Sequence, residues 1–133
     1  MSEDRLKKIF DLRQSYMVKL QNSFESPYPD WPLDMSKKES QIVCRETALK
    51  GVEEMFEALG HLKNWKPHRQ TEIPEINKEE FLEEIVDSFN YFFSLIILTG
   101  FTPEEFFDAY CKKDIIIRER IDKGYWNVLP WRC

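Results

Sequence analysis

The 133 residues, 42% hydrophobic and 14% aromatic, are enough for one globular domain with a sizeable core, and they exclude a disordered chain. A formal charge of −5 excludes a general nucleic-acid binder, which needs a basic surface, but a small anionic ligand needs only a local group of cations. Cys44, Cys111 and Cys133 are too few and too irregularly spaced for a disulfide framework or a zinc site, and read as reduced thiols.

The first residues, Met-Ser-Glu-Asp-Arg-Leu-Lys-Lys, lead into no apolar signal core. The first predicted element is a helix from about Glu3 to Phe24, with Leu6, Ile9, Phe10, Leu12, Tyr16, Met17 and Leu20 at a helical period. The proline-rich run Ser26-Pro27-Tyr28-Pro29-Asp30-Trp31-Pro32 ends it as a rigid extended loop. Ser36 and Glu39 have the spacing of a capping box for a second helix reaching about Leu62, with Ile42, Leu49, Val52, Met55, Phe56 and Leu59 on one side. Lys63 to Ile76, polar and interrupted by Pro67 and Pro74, is a loop.

Asn77 and Glu80 have the spacing of another capping box, opening a third helix that runs to Thr99, with Gly100 as its stop. Thr102-Pro103-Glu104-Glu105 opens a fourth, which extends to about Lys123 and halts at Gly124. The aromatic tail Tyr125 to Cys133 is expected to pack back on the domain or on a partner subunit. No strand and no repeat of solenoid length is found. The expected fold is a single all-α domain over 1–133, an antiparallel bundle of four main helices plus short segments. The longest apolar stretch, Tyr91 to Leu98, is too short to span a bilayer, so a cytoplasmic protein without a membrane partner is expected.

The chemistry lies in a repeated acidic pattern. Glu53-Glu54-Met-Phe-Glu57 falls on the second helix and Glu83-Glu84-Ile-Val-Asp87 on the third. In each, a carboxylate pair at i, i+3 projects from one side of a helix rich in apolar residues. Four such groups approach one another only at high cost unless a cation sits between them. A hard divalent ion that takes oxygen ligands fits, and Mg²⁺ usually arrives with the phosphates of a substrate. Asp87 is also flanked by Ile85, Val86, Phe89, Phe92 and Phe93, so partial burial of its carboxylate is expected. The competing reading is that the acidic residues are simply the solvated faces of two amphipathic helices.

Two basic segments lie near these motifs in sequence. Leu62-Lys63-Asn64-Trp65-Lys66 follows the first acidic helix. On the fourth helix, Lys113 and Arg120 are seven residues apart and share a face suited to a polyphosphate. Ordinary surface charge, offset by Glu119 and Asp122, is the plainer account of that second segment.

Glu54-x-x-Glu57 and Glu84-x-x-Asp87 resemble the metal motif of the all-α nucleoside triphosphate pyrophosphatase superfamily, which includes the MazG-type enzymes and the dimeric dUTPases. Leu62-Lys63-Asn64-Trp65-Lys66 is similar to the Phe-Lys-x-Trp-Lys segment of the dimeric dUTPase and dCTPase branch. Tyr110-x-x-Lys113, Arg120 and Gly124-Tyr125 are similar to that branch's Tyr-x-x-Lys-Asn-x-x-Asn-x-x-Arg-Gln-x-x-Gly-Tyr. The resemblance runs from about Cys44 to Tyr125. Asp114 and Ile117 stand in place of that pattern's two asparagines, Ile121 in place of its glutamine, and Asn90 where the dUTPases usually have a histidine. These departures leave the identity of the base open.

The resemblance implies Mg²⁺-dependent hydrolysis of a deoxynucleoside triphosphate, with dUTP or dCTP favoured, to the monophosphate and pyrophosphate. Glu54, Glu57, Glu84 and Asp87 are the implied metal ligands, and Glu54 or Glu57 also accepts the proton of the attacking water. Lys63, Lys66, Lys113 and Arg120 are candidate phosphate ligands, Trp65 a candidate base-stacking residue, and Asn90 a candidate reader of the base edge; Tyr125 completes the motif. Tyr16, Tyr28 and Trp31 are candidates to line a pocket beside the first helix. His61 and His68 have no spacing that suggests a site. A homodimer or higher homo-oligomer is implied, and the compact form fits a viral or bacterial nucleotide-pool enzyme. Two alternatives stay open: a MazG-like pyrophosphatase of broader nucleotide range, and a non-catalytic helical interaction module of the same fold.

Overall fold

The computed structural model describes residues 3–23, 28–72 and 75–124, and within them the chain is all-α, with four helices and no strand. It divides after Gly100 into two compact units, the first holding three helices and the second one.

In the first unit, α1 (Arg5–Gln21) starts where Asp4 accepts a hydrogen bond from the Lys7 backbone N–H at 3.0 Å. Phe10 and Met17, seven residues apart and therefore on one face, are its buried side chains. Full burial of a side chain the size of Met17 contributes about 1.5–3 kcal/mol. The exposed Lys7–Asp11 pair at 2.8 Å contributes about 0–1 kcal/mol, so packing rather than surface charge holds this helix.

α2 (Lys38–Leu59) begins without a side-chain cap. The expected box between Ser36 and Glu39 does not form. Asp34 takes both the backbone N–H and the hydroxyl of Ser36, at 3.1 and 2.7 Å, in a turn that diverts the hydroxyl from the helix start. The helix also stops at Leu59, with Gly60 as its cap, three residues before the expected end. α3 (Lys78–Leu98) starts at the predicted place, but the expected box is half formed: Asn77 accepts from the Glu80 N–H at 3.1 Å, and among the described residues the Glu80 side chain returns no bond. Its stop at Gly100 is also as predicted, because that residue takes φ +89°, a left-handed conformation that favours glycine.

α2 and α3 run antiparallel. Gly51 in the middle of α2 lies against Ser88 and Phe92 of α3, and His61, just past the end of α2, meets Phe81 near the start of α3 with ring centroids 6.2 Å apart. The face that α2 buries consists of Ser40, Cys44, Thr47, Gly51 and Ala58. This is not the side with the large apolar residues, since Ile42, Leu49, Val52, Phe56 and Leu59 are all exposed. Small side chains let the two backbones approach closely, while Phe92 fills the space over Gly51. Ser88, fully buried, donates from its hydroxyl to the Gly51 carbonyl at 2.6 Å. α1 packs on α3 through Phe10 and Phe93, whose rings meet edge-on at 5.5 Å. The loop between α1 and α2 returns to the far end of α3, where the Leu33 N–H donates to the Leu98 carbonyl at 2.8 Å.

The second unit contains α4 (Pro103–Asp122), which opens with the predicted capping box: Thr102 and Glu105 exchange hydrogen bonds of 3.1 Å each. No residue of α4 is buried, and Gly124 at φ +76° follows its cap. Among the described residues no single helix is long and apolar enough to cross a membrane.

A Cβ added at Gly51 would lie 3.0 Å from the Phe92 ring, so a branched side chain there must displace that ring from its place between the helices. Gly51→Val is expected to destabilise the protein by about 1–3 kcal/mol, measured by denaturant unfolding. A variant as stable as the parent would show that the close contact does not hold the pair together.

Candidate functional site

The close approach at Gly51 decides where the acidic residues fall. Glu54 lies nearly one turn beyond Gly51 on α2, and Asp87 directly precedes Ser88 on α3. Antiparallel pairing therefore sets Glu54 opposite Glu84 and Asp87. One carboxylate oxygen from each of these three lies within 4.8 Å of the others. Glu54 and Glu84 are half-buried. Asp87 is exposed, contrary to the expectation of partial burial, because its neighbours Val86 and Phe89 are themselves exposed and do not cover it. Glu57 falls outside the group of three but stands next to Glu54, one turn on along α2, and acts on its carboxyl. Glu53 and Glu83 are exposed and outside the group.

Partial burial raises the Glu54 carboxyl above its ordinary value, the neighbouring Glu57 raises it further, and the charges of Asp87 and Glu84 follow. Three hard oxygen donors at this separation, one of them reluctant to ionise beside the others, are a donor set that suits Mg²⁺ or a similar cation.

The carboxylates border a cleft of about 920 Å³ between α1 and α3. Glu54, Asp87 and Asn90 line it together with Ile9, Leu12, Tyr16, Phe89 and Phe93. Tyr16 and Asn90 thus share one space with two of the carboxylates. Tyr28 and Trp31 do not line it.

The residue that sequence reasoning missed is Arg13, which lines the same cleft. Its Nε donates to Ser94 Oγ at 2.7 Å and its Nη2 to the Tyr28 hydroxyl at 3.1 Å. Its guanidinium lies 4.6 Å from the centroid of the Tyr16 ring and 5.6 Å from that of Tyr91. The signal was available: Arg13 stands three residues after Phe10 and four before Met17, on the face α1 buries.

The remaining candidates divide between the two units. Lys63, Trp65 and Lys66 are in the loop after α2. Trp65 is 68% exposed rather than packed, with the Lys66 ammonium 5.8 Å from its ring centroid. Asn64 closes this loop by accepting from the Thr71 N–H at 3.0 Å. His61 packs on Phe81, and His68 is exposed. Lys113 and Arg120 are both exposed on α4, in the second unit, two helical turns apart. Asp114 pairs with Arg118 one turn on, at 2.8 Å, so its charge is answered within the same helix. Tyr125 lies outside the described residues. Compared with known proteins, the chain matches no protein-family model, no curated protein and no solved structure.

Because the Glu54 carboxyl is raised in the folded protein, folding is favoured by its protonation below the ordinary carboxylate pKa, and that contribution is lost as pH rises through the raised value. In chelator at pH 7, Glu54→Gln is therefore expected to melt a few degrees above the parent, with the gap closing as pH falls below the ordinary carboxylate range. Thermal melts across pH check this; a variant less stable than the parent at pH 7 would contradict it.

Proposed function

We propose that this chain is a Mg²⁺-dependent hydrolase that converts a deoxynucleoside triphosphate, with dUTP or dCTP favoured, to the monophosphate and pyrophosphate. The observation that carries this reading is the convergence of Glu54, Glu84 and Asp87 from two antiparallel helices at the edge of an aromatic cleft. That arrangement suits a ligand with an anionic, metal-seeking end and a flat, apolar end. The resemblance of the acidic, Lys-Asn-Trp-Lys and Lys113–Arg120 segments to the all-α nucleoside triphosphate pyrophosphatases supports it from the sequence side.

Glu54, Glu84 and Asp87, with Glu57 one turn on, would hold the cation. When bound, Mg²⁺ neutralises the phosphates and lowers the pKa of a coordinated water. Glu54 or Glu57 would accept the proton of the attacking water. Lys63, Lys66, Lys113 and Arg120 are proposed phosphate ligands, and Trp65 and Asn90 proposed contacts for the base. The proposed working form is a homodimer or higher homo-oligomer, supported by the exposed α2 stripe of Ile42, Leu49, Val52, Phe56 and Leu59.

Chromatographic analysis of products from dUTP, dCTP, dTTP, dATP and dGTP, with Mg²⁺ and with chelator, tests the reading. Monophosphate is expected to appear only with the metal. Glu57→Gln and Asp87→Asn are each expected to lower turnover about a hundredfold or more with the helical circular dichroism unchanged. Retained activity in both variants would remove the carboxylates from the mechanism.

A further inference from the structure

Arg13 is the single cation among the residues lining the cleft, which also carries Glu54 and Asp87. It is half-buried and forms no ion pair among the described residues. Its planar group is fixed instead by Ser94, itself fully buried, by the Tyr28 hydroxyl and by the faces of Tyr16 and Tyr91. Nε and one proton of Nη2 are thereby engaged, while Nη1 has no hydrogen-bond partner among the described residues. A guanidinium held this way is a pre-organised donor, and little side-chain freedom remains to be lost when an acceptor arrives.

The surroundings select the acceptor. With two carboxylates against one arginine, the cleft is a poor host for a triphosphate anion without metal. Its apolar and aromatic walls favour a flat neutral ring. A ring that buries itself there gains most if it carries a carbonyl oxygen for the Nη1 protons, which no described residue accepts. Asn90, on the same cleft, can offer both a donor and an acceptor to the ring edge.

We infer that Arg13 is a specificity-determining residue that donates from Nη1 to a carbonyl oxygen of a nucleobase seated in this cleft. The inference rests on the nucleotide reading above and extends it by naming the group that recognises the base. It separates Arg13 from the phosphate ligands, which a surface cation would normally join.

Calorimetric binding of deoxyuridine, deoxycytidine and deoxyadenosine in chelator, and of pyrophosphate with Mg²⁺, isolates the two roles. In the parent protein both pyrimidine nucleosides are expected to bind more tightly than deoxyadenosine, whose base has no carbonyl. Arg13→Gln is expected to weaken the pyrimidine nucleosides by about tenfold or more, the usual loss for a hydrogen bond from a charged donor. Its pyrophosphate binding is expected to stay at the parent value. Arg13→Lys, which keeps the charge but not the planar fork, is expected to show the same selective loss and covers the case in which the glutamine variant fails to fold. Pyrimidine nucleoside binding that depends on Arg13 in a protein that hydrolyses no triphosphate would uphold this inference while overturning the catalytic one. Unchanged pyrimidine binding in the folded variants, or a loss confined to pyrophosphate, would overturn the assignment of Arg13.

Discussion

The contact between Gly51 of α2 and the Ser88–Phe92 turn of α3 is the constraint on which the acidic centre depends. Side chains no larger than threonine line the buried face of α2, and they permit a close approach that leucines would block. The approach fixes which residues stand opposite one another: with Ser88 hydrogen-bonded to the Gly51 carbonyl, Glu54 is set across from Glu84 and Asp87. A slip of one turn would separate these carboxylates by about 5.4 Å more along the axis and dissolve the group. The same packing that stabilises the pair therefore creates its least favourable electrostatic feature.

That feature has a chemical reading. Burial first, and then the charges of its carboxylate neighbours, raise the pKa of Glu54 above its ordinary value. A divalent cation reverses the balance by turning mutual repulsion into shared coordination. On the α1 side the chemistry changes character. There Arg13 is surrounded by tyrosines and a buried serine rather than by carboxylates, and the cleft walls are apolar. A ligand with one polyanionic end and one planar, carbonyl-bearing end answers both halves.

Much of this was legible in the sequence, for identifiable reasons. Helix starts at Asn77 and Thr102 and stops at Gly100 and Gly124 rest on local hydrogen bonds and local φ, so local patterns suffice to predict them. Ser36 failed as a cap because Asp34, two residues earlier, competed for its hydroxyl. The buried face of α2 was not legible because apolar periodicity marks large residues, whereas this interface selects small ones. The pairing of Glu54 with Glu84 and Asp87 needs the antiparallel register, which no single helix encodes. Arg13 escaped because its partners Tyr28 and Ser94 are 15 and 81 residues away in sequence.

The central claim is that Glu54, Glu84 and Asp87 together hold a divalent cation. Crystals grown with Mn²⁺ in place of Mg²⁺ test it most directly, through the anomalous difference map. A peak about 2.0–2.4 Å from oxygens of all three residues, absent from crystals of Asp87→Asn, is the predicted result. A well-ordered map with the three carboxylates in place and no Mn²⁺ peak between them would contradict it.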